Sequence, residues 1–132
     1  MASAILLTTS EELLESVNKE LKRQIEVLPK KEIVEQSIKN FGKAILCDSI
    51  HECIRFSNEI APEHLELMVA NPMEYLQEVR NAGSVFLGYY TCESIGDYFG
   101  GTNHVLPTSS TCFIGRQFYK KIVLFILFKR SY

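Results

Sequence analysis

Short apolar runs alternate along this chain with longer stretches in which apolar residues return every three or four positions. Ala4 to Leu7 is the first run and reads as a buried strand. Thr9 and Glu12 have the spacing of a capping box, in which a hydroxyl and a carboxylate each take one orphan amide of a helix start. Leu14, Val17, Leu21, Ile25 and Leu28 then form one stripe, which predicts a helix ending near Pro29. Val34, Ile38 and Phe41 predict the next helix, with Gly42 as its C-terminal cap. Ala44 to Cys47 is again strand-like, and Ser49 with Glu52 repeats the capping-box spacing, so a helix is expected to about Glu59.

The pattern then switches to period two. Leu65, Leu67 and Val69 fall on one face and His64, Glu66 and Met68 on the other, which predicts a half-buried strand. Asn71 and Pro72 read as a helix start and Gly83 as its stop, followed by a fourth strand from Ser84 to Leu87. Strand and helix alternating in this way imply crossover connections, hence a largely parallel sheet with helices on its faces. After Leu87 a short turn capped by Thr91 leads into Gly96 to Thr108, where three glycines and a proline predict a long structured loop. It follows the carboxyl end of the fourth strand, the place where ligands bind in open α/β sheets.

Composition narrows the partners more than the chemistry. At 132 residues the chain can bury one core, and its 46% hydrophobic and 23% charged content is ordinary. A net charge of −2 gives no electrostatic ground for nucleic acid or an anionic membrane, so neither is expected as a partner. Cys47, Cys53, Cys92 and Cys112 include no C-x-x-C pair and no zinc-finger spacing, and are expected to pack reduced as small apolar groups. The start of the chain has no basic-then-apolar secretory pattern, which makes the cytoplasm the expected location. Ile122 to Phe128 is wholly apolar but too short for a bilayer core of about 30 Å; it reads as a strand or as an exposed, aggregation-prone strip that favours self-association.

Candidate chemistry is confined to a few places. No G-x-G-x-x-G and no G-x-x-x-x-G-K-[ST] occurs, so no residue is assigned to cofactor binding. Asp97 and His104, seven apart in the Gly-rich loop, could reach one metal or polar ligand, or could serve as turn and cap residues. The adjacent Glu63 and His64 could exchange protons near neutral pH, or could be ordinary surface polarity. His51 lies inside a predicted helix and reads as a surface residue with no partner.

Three motifs taken together go further. Ala61-Pro62-Glu63-His64-Leu65, then Asn81-Ala82-Gly83-Ser84-Val85-Phe86-Leu87-Gly88, then Gly96-Asp97-Tyr98 with Asn103-His104-Val105-Leu106-Pro107-Thr108 closely resemble the signature segments of the histidinol dehydrogenase family. The resemblance covers roughly Ala4 to Thr111. It implies a zinc-dependent, NAD-linked oxidation of L-histidinol to L-histidine, the closing step of histidine biosynthesis, in a homo-oligomer. Carried over residue by residue, it makes His64 the acceptor of the substrate's alcohol proton and Glu63 the group that helps activate water at the aldehyde stage. His64, Asp97 and His104 would touch substrate, and Asp97 would be a zinc ligand.

The departures are as informative. The family's other zinc ligands and its nucleotide-binding half match nothing in this sequence, so complete zinc and NAD sites are not expected in the chain, nor histidinol oxidation by the chain alone. The expected architecture is an incomplete Rossmann-like α/β domain with a mainly parallel sheet over residues 1–111, then a divergent apolar tail over 112–132. The rival reading is a non-catalytic α/β remnant that acts only in protein association.

Overall fold

The computed structural model describes residues 3–100 and 122–127. They form five parallel strands with flanking helices. β1 (Ser3–Thr8), β2 (Lys43–Leu46), β3 (His64–Met68), β4 (Ser84–Leu87) and β5 (Ile122–Leu127) stand in the order β2-β1-β5-β3-β4. The α/β class and parallel sheet expected from the alternation are therefore present. The connections carry α1 (Glu11–Ile25) and α2 (Lys31–Phe41) between β1 and β2, α3 (Ile50–Ile60) before β3, α4 (Pro72–Tyr75) before β4, and α5 (Glu93–Tyr98) after it.

Strand order and handedness together decide which helix covers which face. Parallel crossovers are right-handed, so reversing the direction of travel along the sheet moves the connecting helix to the opposite face. The chain steps outward from β1 to β2, then back across β1 and β5 to β3, and onward to β4. α3 and α4 are thereby assigned to the face opposite α1 and α2. On the α3 face Leu7, Leu65, Leu67, Leu124 and Ile126 are fully buried, packed with Cys53 and Ile54 of α3, and Tyr75 and Val79 close its margin. The return from β4 towards β5 reverses travel again, which puts α5 on the face of α1 and α2.

The run from Ile122 is the largest revision of the expected picture. It is a strand, but no exposed strip: β5 lies between β1 and β3, and Leu124 and Ile126 are core residues. An all-apolar run is what a strand covered on both faces requires. β3, expected to be half-buried, is enclosed for the same reason, since β5 and β4 flank it and only its last residue, Met68, is partly open.

Several boundaries moved by a residue or more. Ser10, not Thr9, caps α1, its hydroxyl accepting from the Leu13 amide at 3.2 Å, while Thr8 Oγ1 accepts from Ser10 N. Ser49 caps α3 as expected, but the Glu52 carboxylate reaches back to the Asp48 amide at 2.8 Å, one residue further than a capping box would. The helix expected from Asn71 to Gly83 stops early, giving way to a 3-10 turn over Leu76–Glu78. There the Asn58 side chain donates to Glu78 O and accepts from the amides of Arg80 and Asn81, so tertiary bonds replace helical ones. His51 is exposed but partnered, with Nδ1 2.9 Å from the Glu78 carboxylate and its ring edge-on to Tyr75. Cys47, Cys53 and Cys92 are free thiols, the first two buried, and burial pushes the Cys53 thiol up to about 12.

Candidate active site

Ala61 ends α3 in the left-handed region, at φ 50° and ψ 65°, and turns the chain sharply into the sheet. Pro62 follows, fully buried, with its φ fixed by the ring. This stiff approach delivers Glu63 and His64 to the amino end of β3. Both are buried, at 6% and 4% exposure, which removes the surface reading of the pair. The side chains touch, with His64 Nε2 3.7 Å from Glu63 Oε1. That Glu63 oxygen is buried and has no hydrogen-bond partner among the described residues.

The backbone of the pair is held by the entry to β4. Gly83 N–H donates to Pro62 O at 3.0 Å and Ser84 N–H to Glu63 O at 2.9 Å. A Cβ on Gly83 would stand 2.7 Å from Glu63 O, closer than two such atoms can come. Gly83→Ala is therefore expected to push Glu63 out of place and to cost about 1–3 kcal/mol, the usual range for overpacking. A urea midpoint equal to that of the parent chain would contradict this close approach.

Two further carboxylates complete the cluster, and neither was assigned to the site from the sequence. Glu66 shares the His64 face of β3 and is 5% exposed. In register it stands between Phe125 of β5 and Phe86 of β4, so aromatic neighbours flank it on both sides. Burial raises its carboxyl above the ordinary value, and the Glu93 amide, 3.5 Å from Oε1, works in the opposite direction. Glu93 opens α5, and its own Oε1 lies 3.2 Å from His64 Nδ1. The imidazole thus sits between two carboxylates, one at each ring nitrogen, with the Phe86 ring edge-on at 6.1 Å. Period two signalled Glu66 as a neighbour of His64. Nothing local signalled Glu93, because its approach depends on α5 folding back over the sheet.

The raised Glu66 carboxyl has a consequence with a definite sign. Folding strengthens its hold on a proton, so its contribution to stability is fully present below the ordinary carboxylate value of 4.5. It is lost as pH rises through the elevated folded value. Glu66→Gln keeps an acceptor for the Glu93 amide without the charge. The variant is expected to be modestly more stable than the parent at pH 7, with the difference vanishing below about pH 4. Thermal unfolding of both proteins across that range checks it, and a Gln variant less stable at pH 7 would contradict it.

Glu63 and His64 stand at the amino end of β3, and most of the loop expected to build a site beyond the carboxyl end of β4 lies outside the described residues. α5 carries Gly96, Asp97 and Tyr98, which are helical and not loop as the glycine spacing suggested. The Asp97 side chain and His104 lie outside the described residues. Among the described residues no three of His, Cys, Asp and Glu are placed to hold a metal ion. They do not by themselves make a zinc site.

Comparison with known proteins is consistent along nearly the whole chain. A family model described as histidinol dehydrogenase matches residues 1–124. The histidinol dehydrogenase of Caldanaerobacter subterraneus subsp. tengcongensis is 59% identical over 111 residues, which are 84% of this chain and 26% of that protein. That of Clostridium acetobutylicum is 54% identical over the same length and shares. The crystal structure of histidinol dehydrogenase from Elizabethkingia anophelis superposes with a TM-score of 0.74 at 48% identity, covering 78% of this chain and 24% of that one. The chain spans about a quarter of the length of the curated relatives it matches.

Proposed function

The chain belongs to the histidinol dehydrogenase family, and on that premise we propose that it supplies the proton-handling residues for NAD-linked oxidation of L-histidinol to L-histidine. One observation carries the reading. A buried carboxylate oxygen with no hydrogen-bond partner among the described residues faces a buried imidazole 3.7 Å away. Leaving such an acceptor unfilled costs about 1–3 kcal/mol, a cost that makes sense where a substrate or water brings the missing donor.

Each oxidation removes a hydride and a proton from carbon and oxygen, and the residues of this chain handle the proton. His64 takes the hydroxyl proton as the alcohol becomes an aldehyde. Glu63 accepts a proton from the water that adds to that aldehyde, leaving the hydrated form ready for the second oxidation. Asp97 and His104 are proposed to contact substrate, and Asp97 to supply one zinc ligand, the family's other zinc ligands having no match in this sequence. NAD as hydride acceptor, and assembly as a homo-oligomer, are carried over from the family on the same footing. No helix among the described residues is long and apolar enough to cross a membrane.

The rival reading, a domain that acts only in association, gives no reason to bury an acid and an imidazole side by side. A chimera separates the two. Residues 4–111 of this chain would replace the matching segment of the Caldanaerobacter relative, and NAD reduction would be followed with and without L-histidinol. Reduction that depends on histidinol is expected. A folded chimera without it would remove the catalytic reading.

A further inference from the structure

We infer that Glu93 is a positioning residue for His64: its carboxylate holds the proton on Nδ1, so that Nε2, the nitrogen facing Glu63, presents the lone pair. The inference rests on the reading of His64 as the proton acceptor, and adds to it the choice of ring nitrogen.

Geometry carries the argument. An imidazole has two distinct nitrogens, and the partner of one fixes the protonation of the other. His64 Nδ1 has Glu93 Oε1 at 3.2 Å, the shorter of its two carboxylate contacts, and Nε2 has Glu63 Oε1 at 3.7 Å. A carboxylate can only accept, so the closer one takes Nδ1–H and leaves Nε2 as the acceptor. The contact is at ion-pair distance but is not aligned as a hydrogen bond in this structure, and substrate binding can bring it into line, as is common for catalytic groups.

The placement of Glu93 is itself held from the sheet. The Glu66 carboxylate lies 3.5 Å from the Glu93 amide at the first turn of α5, and Glu66 is fixed between Phe86 and Phe125. α5 thus starts directly above His64. Glu63, Glu66 and Glu93 are the charged groups described around the ring, coming from the approach to β3, from β3 itself and from α5. Of these three carboxylates, Glu93 is the one at Nδ1.

The tautomer can be read without any turnover. Long-range proton–nitrogen correlation spectra of the intact chain, taken well above the ordinary imidazole value of about 6.5, distinguish the two forms of each histidine. His64 is assigned by the loss of its signals in His64→Gln. In the parent chain His64 is expected as the Nδ1–H form. Glu93→Ala is expected to shift it towards the Nε2–H form that free histidine prefers, whereas Glu93→Gln, whose amide oxygen still accepts, should retain Nδ1–H. Glu93→Ser gives the same comparison should the alanine variant not fold. A parent chain in the Nε2–H form, or an unchanged tautomer in a folded Ala or Ser variant, overturns the inference. Neither result depends on the chimera assay, so failure here and failure of the proposed reaction are told apart.

Discussion

A chain ended after Thr111 is expected to show no cooperative unfolding transition. Such a truncation removes β5, which pairs with β1 from Ser3 to Thr8 and with β3 from His64 to Met68. Its loss leaves two strands in the middle of a sheet with buried amides and carbonyls unpaired, each costing about 1–3 kcal/mol. It also removes Leu124 and Ile126, both fully buried, from the core. Truncating even one such side chain to alanine costs about 2–5 kcal/mol, against about 5–15 kcal/mol for the whole stability of a typical domain. Urea titration followed by circular dichroism should give a broad, sloping signal for the truncated chain and a sigmoid for the intact one. A truncated chain that melts as sharply as the parent would mean that the sheet closes without β5. Leu124→Ala, which leaves the backbone pairing intact, should fall between the two.

The second large effect concerns turnover. In the chimera with the Caldanaerobacter relative, His64→Gln is expected to lower kcat about 10²–10⁴-fold, the usual contribution of a general acid–base group, equivalent to about 3–5 kcal/mol in the barrier. KM for L-histidinol should change far less, because the lost interaction is one made as the proton moves. Glutamine retains much of the volume of the imidazole but cannot accept and release a proton near neutral pH. The unfolding midpoint of the variant must be measured beside its rate, since His64 is also a buried strand residue in register with Ser84 and Val123. A loss smaller than tenfold in a variant of normal stability would remove His64 from the proton path.

Much of this architecture was legible because strands and helices wrote different periods into the chain. β4 was read residue for residue, and α3 to within one residue at its end, since Ser49 is a genuine cap and Gly83 and Pro72 punctuate the flanks. The helix after Pro72 was over-read because Asn58, a side chain from another element, captures the backbone of Glu78, Arg80 and Asn81. No local propensity encodes that capture. The site divides in the same way. Glu63 and His64 stood out as a pair, and Glu66 as a same-face neighbour. Glu93 did not stand out, because its contact with His64 follows from the reversal in the direction of travel across the sheet between β4 and β5. That reversal was hidden in turn by the apolar run at Ile122, which nothing in its own composition placed at the sheet's centre.

The central position of β5 also sets the order of events in time. Of the five strands it is the last in chain order, yet β1, the first, is its partner. β1 and β2 can pair as soon as α1 and α2 have formed between them, and β3 with β4 likewise, so two half-sheets can exist early. They cannot join until nearly all of the described chain is available, because the piece between them arrives last. Long-range pairing of this kind makes for slow folding, and meanwhile leaves two strand edges open to pairing with other chains. During synthesis, at about 5–20 residues per second, that exposed interval lasts seconds. It is then that the chain is most open to chaperones or to mispairing with its neighbours.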